Sequence, residues 1–221
     1  MNLVTLRNIK ESEEVLNFLK IAQRQMDILG YTEHSFRHVN IVSETAGNIL
    51  QKLGYQEREV ELAKIAGYLH DMGNAVNRMD HAHLGAIISY NILTRMGMSF
   101  VEAGEIMHAI GNHDENSGTA VSNISSALIL ADKSDVHRSR VTNKDFANFD
   151  IHDRVNYAVE SSKLIVSRED KTAILKLTID TNICPVMDYF EIFLMRMTMN
   201  RKAAEFLGLK FQVIINESRL L

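Results

Sequence analysis

Four residues in this 221-residue chain have the types and placement to hold a metal ion: His38, the adjacent pair His70 and Asp71, and Asp132. An imidazole beside a carboxylate offers two ligands of different hardness, and a carboxylate can bridge two ions. His38 stands above Val42, Ala46 and Ile49, at +4, +8 and +11, so a helix would turn its ring inward. Taken alone, a histidine on an apolar face is more often a hydrogen-bonded core residue than a ligand. His70 and Asp71 end a run in which Ala63, Ala66 and Gly67 leave room for close helix approach, and Gly73 follows. Unpaired carbonyls at a helix C-terminus favour a cation there. A helix-end histidine with a solvent-facing aspartate is the plainer account of the pair. Asp132 follows the apolar run Ala127-Leu128-Ile129-Leu130-Ala131, where a carboxylate needs a cation to offset its desolvation. Lys133 and Arg138 are candidates for that cation, and so is a metal. Four inward candidates from three helices favour the metal.

Helices must position these groups. Leu16, Phe18, Leu19, Ala22 and Met26 recur at helical spacing and predict a helix over 11–29, ended by Gly30. Further helices are expected over 35–54, 57–70, 81–96, 99–111 and 122–136, the last apolar on most sides. Beyond residue 150 the pattern changes. A short helix over 153–162 leads into 163–167 and 172–180, whose β-branched residues and alternation of Ile174, Lys176 and Thr178 predict a β-hairpin. A helix over 187–206 and a strand over 211–215 follow. The expected fold is mainly α: a metal-binding helical bundle over 1–150, with a small α+β extension over 151–221 that contains an antiparallel sheet. Phe190, Phe193, Met195, Met197 and Met199 read as packing residues of that extension, whose edge strand could support a homodimer.

Composition narrows the function classes. With 46% hydrophobic residues the chain can bury a substantial core, and its 24% charged content suits a cytoplasmic protein. A net charge of -4 argues against passive capture of nucleic acid, which needs a basic surface. Cys184 is the single cysteine, so no internal disulfide is expected. No stretch approaches the roughly 20 apolar residues of a membrane span, and the N-terminus lacks the apolar region of a signal peptide.

The order His38, His70-Asp71, Asp132 resembles the H…HD…D signature of the HD-domain superfamily of metal-dependent phosphohydrolases. The flanks are similar too: 66–74 around the doublet and 130–135 around the last acid, with the signature spanning about 34–140. His81-Ala82-His83-Leu84-Gly85-Ala86 looks like the His-x-x-x-Gly-Ala segment of the two-metal branch, and 109–113 like its next histidine position. HD-domain diadenosine tetraphosphate hydrolases and HD-GYP proteins share this arrangement. The resemblance implies an HD-domain bundle in which His38, His70 and Asp132 hold one ion, His81 and His113 a second, and Asp71 bridges them. Position in the motif selects His81 over His83, which helical geometry alone does not separate. HD-GYP proteins usually have lysine where this chain has Asn74, and no GYP segment follows Asp132, so a cyclic dinucleotide is a poor substrate guess. His34 sits where some trinuclear relatives place an extra ligand, and it equally well caps or precedes the helix. His108, His137 and His152 match no ligand position.

The chemistry implied is attack on a phosphate ester or anhydride by hydroxide that one or two divalent ions activate, with His70 and Asp71 at its centre. Histidine and aspartate suit Fe, Mn, Co, Ni or Zn without choosing among them. The expected partner is a small phosphorylated substrate such as a nucleotide. Lys133, Arg138 and Arg140 follow the final ligand and are candidates for phosphate binding, with Asn112 and Asn116 as weaker ones; basic residues at a helix end also serve the helix dipole. Two other classes use the same residues: a ligand-sensing module that retains metal with little turnover, and a di-iron oxygenase.

Overall fold

The computed structural model describes residues 3–31, 36–143 and 145–220. His34 lies outside the described residues. The chain begins with two helices, α1 (Leu6–Glu11) and α2 (Glu13–Leu29). The periodicity predicts one helix from residue 11; the extra short helix has its own capping box between Thr5 and Asn8. Ser12 separates the two, closing α1 while its side chain accepts the Val15 amide hydrogen at the start of α2. Then come α3 (Phe36–Leu53), α4 (Glu57–Leu69), a 3-10 turn at Met72–Ala75, α5 (His81–Arg95), α6 (Phe100–Gly111) and α7 (Asn123–Ser134). Ser99 and Ser122 cap α6 and α7 with their hydroxyls. From Ile124 to Ser134 every residue of α7 is buried, and the helix packs against α3, α4 and α6. It is the axis around which the other helix ends converge.

Two close approaches fix the helices that carry the candidate ligands. A Cβ built on Gly67 of α4 would lie 2.7 Å from the Cα and 2.8 Å from the amide nitrogen of Ser43 on α3. The room that Ala63, Ala66 and Gly67 leave is thus filled by the α3 backbone. A Cβ on Gly73 would overlap the His81 carbonyl oxygen and lie 2.5 Å from the Gly85 amide nitrogen. Glycine there lets the turn after Asp71 seat directly on the first turns of α5.

The remainder holds α8 (Ile151–Ala158), β1 (Val159–Ser167), β2 (Thr172–Ile179), α9 (Val186–Phe206), β3 (Lys210–Ile215) and the two-residue β4 (Ser218–Arg219). The short helix expected over 153–162 stops at Ala158, and 159–162 already belong to β1, where Val159 pairs with Ile179 across a register shift before Ser161. β1 and β2 form the expected antiparallel hairpin. β3 joins β2 in parallel, with Thr172 opposite Lys210, and β4 adds antiparallel to β3. The sheet, in order β1-β2-β3-β4, is therefore mixed rather than wholly antiparallel. Parallel pairing requires a crossover, and α9 supplies it, covering the face formed by Ala173, Leu175, Leu177 and Ile179. Phe193, Met197 and Met199 are buried, Phe190 is partly so, and Met195 is exposed. The other face of α9 packs on α7, and apolar residues from Val4 to Ile215 join in one core cluster. Among the described residues no helix is long and apolar enough to cross a membrane.

Candidate metal centre

Five helix ends deliver the candidate ligands to one place. His38 lies in the first turn of α3, His70 caps the C-terminus of α4, His81 opens α5, His113 follows α6, and Asp132 sits near the end of α7. All are buried, as is Asp71 between α4 and the 3-10 turn.

The imidazoles share one mode of attachment. Nδ1–H of His70 donates to the Gly67 carbonyl at 2.8 Å, that of His81 to Arg78 at 2.9 Å, and that of His113 to Ile110 at 2.6 Å. A carbonyl oxygen only accepts, so the proton stands on Nδ1 and the Nε2 lone pair faces the centre. His38 follows the same rule with a carboxylate: its Nδ1 lies 2.7 Å from Asp135 Oδ2. Arg37 in turn donates to both Asp135 oxygens, at 3.3 and 3.4 Å. Such outer partners fix the tautomer and raise the basicity of a metal-binding histidine.

The inward atoms fit a cation. Nε2 of His70 is buried without a hydrogen-bond partner, a costly state for a polar atom unless something electrophilic fills the space. Nε2 of His81 and Nε2 of His113 stand 3.2 Å apart, each presenting a lone pair to the other. Two nitrogens bound to one ion at about 2.1 Å would stand roughly 3.0–3.4 Å apart in octahedral or tetrahedral geometry. Asp71 faces both groups. Its Oδ2 is 3.4 Å from His70 Nε2 and 3.6 Å from His38 Nε2, whereas its Oδ1 is 3.8 Å from His81 Nε2. Asp132 Oδ1 is 3.3 Å from His38 Nε2 and 3.8 Å from His70 Nε2. Three overlapping sets each bring their ligand atoms within 4.8 Å of one another: His38-His70-Asp71, His70-His113-Asp132 and Asp71-His81-His113.

Burial and charge favour neutral imidazoles at His70, His81 and His113 and an ionised carboxylate at Asp132, the forms that can hold a cation. Burial pushes the His70 and His81 imidazoles below their ordinary value, against the pull of Asp71. Burial, with the neighbouring His70, His81 and Lys133, pushes His113 lower still. His38 goes the other way: burial and Arg140 work to lower it, but its bonds to Asp132 and Asp135 prevail and raise it. Burial works to raise Asp132, yet Lys133 and His38 hold its carboxyl well below the usual range. Lys133 Nζ sits 2.8 Å from Asp132 Oδ2 and 2.6 Å from Glu115 Oε2, and Glu115 also takes Arg196 Nε at 3.1 Å.

The cleft above these groups is lined by Asp71, Arg78, His81, His113, Glu115, Asp132, Lys133, Arg140 and Arg196. Of the three cations proposed for phosphate, Lys133 and Arg140 reach it. Arg138 does not: it pairs with Glu160 at 3.0 Å and lies over the Tyr157 ring. Asn112 donates to the His108 carbonyl, and neither it nor Asn116 lines the cleft. His83, His108 and His152 are exposed, and His137 caps the 3-10 turn Arg138–Arg140. Asn74 donates to Asp71 Oδ1 at 2.8 Å and accepts from Arg78 at 3.1 Å. Sequence reasoning missed Asp135, Arg78, Glu115 and Arg196. Asp135 carried a signal, as a second acid three residues beyond Asp132 in the same turn.

The chain is similar to several known proteins. An uncharacterized protein of Methanocaldococcus jannaschii is 29% identical over 153 residues, covering 59% of this chain and 58% of that protein. Ribonuclease Y of Lawsonia intracellularis is 35% identical over 91 residues, 40% of this chain and 15% of that protein. The chain thus spans less than two thirds of either relative. A crystal structure of a predicted HD superfamily hydrolase from an uncultured Thermotogales bacterium is similar at 27% identity and a TM-score of 0.46, over 60% of this chain and 68% of that one. Residues 31–145, just over half the chain and the stretch from which every candidate ligand comes, match the HD domain, and the chain belongs to that family.

Proposed function

We propose that this protein is a hydrolase of phosphate esters or anhydrides that works with two divalent ions. His38, His70 and Asp132 surround one position and His81 and His113 the other, with Asp71 shared. The observation that carries this reading is the divergence of the two Asp71 oxygens, Oδ2 toward His38 and His70 and Oδ1 toward His81. Family membership and the likeness to ribonuclease Y support hydrolytic phosphate chemistry. When bound, the ions would supply Lewis acidity at a phosphoryl oxygen and lower the pKa of a water.

The chain's own residues do the rest. The imidazoles, tied through Nδ1 to fixed acceptors, offer neutral donors whose direction does not change when a ligand arrives. Asn74 holds Asp71 so that one oxygen turns to each position. Lys133 neutralises Asp132 and faces the cleft, where it and Arg140 stand within reach of phosphate oxygens. Metal analysis of the purified protein should find two ions per chain. Turnover of a chromogenic phosphate ester with added Mn should fall at least about a hundredfold in Asp71→Ala, where the shared ligand is gone. Turnover that survives both chelation and Asp71→Ala would overturn the proposal.

A further inference from the structure

Four cations line the cleft, Arg78, Lys133, Arg140 and Arg196, against the carboxylates of Asp71, Glu115 and Asp132. Their commitments differ. Lys133 spends two of its three N–H donors on Asp132 and Glu115. Arg140 is buried, with its Nη1 donating to the Asp135 carbonyl at 2.7 Å. Arg196 comes from α9, outside the stretch that matches the HD domain. Its Nε is pinned by Glu115 at 3.1 Å and its guanidinium lies over the Phe193 ring, 4.5 Å from the centroid. This holds the planar group by one edge and one face and leaves both Nη groups as donors. Arg78 is held in a similar way, with Nη1 on Asn74 Oδ1 at 3.1 Å and the guanidinium 5.5 Å from the Tyr31 ring centroid. No carboxylate lies within ion-pair distance of it among the described residues.

A guanidinium fixed this way matches the oxygens of phosphate in a two-pronged fork. A terminal phosphate presents three non-bridging oxygens and close to two negative charges; a diester presents two oxygens and one charge. We infer that Arg196 and Arg78 bind the non-bridging oxygens of a terminal phosphate, so that the preferred substrates of this cleft are phosphomonoesters. The inference rests on the phosphohydrolase reading and adds the substrate class and the two residues that select it. The part of the chain beyond the HD match thereby enters the site through one side chain.

The test compares the wild type with Arg196→Gln and Arg196→Lys. Calorimetric titration with inorganic phosphate, on protein of verified metal content, should show about ten- to a hundredfold weaker binding in Arg196→Gln, the usual effect of losing a charge-assisted pair of hydrogen bonds. Arg196→Lys, which restores charge without the fork, should fall between. With Mn, 4-nitrophenyl phosphate should be turned over in preference to bis(4-nitrophenyl) phosphate. In Arg196→Gln the monoester KM should rise by a similar factor while the diester KM moves less. Unchanged phosphate affinity in a folded Arg196→Gln, or a wild-type preference for the diester, overturns the inference. If Arg196→Gln does not fold, Arg78→Gln supplies the same two readouts from a different segment. Weakened phosphate binding in a protein that hydrolyses neither ester would uphold the clamp and sink the phosphohydrolase reading instead.

Discussion

The two sides of the cleft are built by different means. On the helix-end side, three of the four imidazoles hang from a backbone carbonyl three residues earlier in their own segment. On the other side, Lys133 of α7 and Arg196 of α9 are held together by Glu115, which lies in the loop between α6 and α7. A local backbone tether sets direction without adding charge. A chain of alternating charges, Asp132-Lys133-Glu115-Arg196, sets direction only while every member is ionised. The first device suits donors that must stay neutral, and the second suits groups that must meet an anion.

Several substitutions and conditions would separate these two sides. The largest effect is expected from Gly73→Ala, because the added Cβ meets backbone on both sides, the His81 carbonyl and the Gly85 amide. It should cost about 3 kcal/mol or more in denaturant unfolding and displace the imidazole side as a unit. A variant that unfolds like the wild type would show that this tether tolerates slippage. Next in size, His81→Ala should reduce the ion content from two per chain toward one, with at least about a hundredfold weaker affinity at that position. Elemental analysis after dialysis checks it; two tightly held ions would remove His81 from the ligand set.

The smallest effect separates the sides by pH, in protein stripped of metal by a chelator. Burial lowers His70, His81 and His113 from 6.5, so between that value and their folded values the unfolded chain binds more protons than the native one. Stability on the imidazole side is therefore lost as pH falls below 6.5, by about 1 kcal/mol per pH unit or more. His38 is raised, and its contribution is already complete below 6.5. The carboxylates of Asp132, Asp135 and Glu115 are lowered from 3.8, 3.8 and 4.5, so their contribution is present above those values and lost below them. Unfolding midpoints against pH should show two descending steps, the imidazole step first. A single step below pH 4.5 would mean that the histidines take up protons at no cost to the fold.

The helix-end side was legible in the sequence for the same reason that it is rigid. His38, His70 and Asp132 each stand in a run whose apolar period names the buried face, and the backbone partner of His70 lies within its own segment. The resemblance carried His81 and His113, which periodicity alone left open. Arg196 was illegible because it sits on a methionine-rich helix where nothing local distinguishes an inward arginine from a solvated one. Its partner Glu115 lies in a polar loop that read only as a connection. Strand direction was hidden for a related reason. The apolar run along 211–215 reads the same whether β3 runs with or against β2, and only the α9 crossover decides it.

That crossover also orders events in time. The local tethers of the imidazoles close over three residues, with little chain entropy to overcome. Arg196 reaches its place only when Lys210 has found Thr172 and α9 is pressed between the sheet and α7. Contacts between residues so far apart in sequence form late, because loop closure must precede their reward. A refolding chain should therefore orient His70, His81 and His113 within their own segments first, while the contacts that gather the centre, His38 to Asp135 and Glu115 to Arg196 alike, form late.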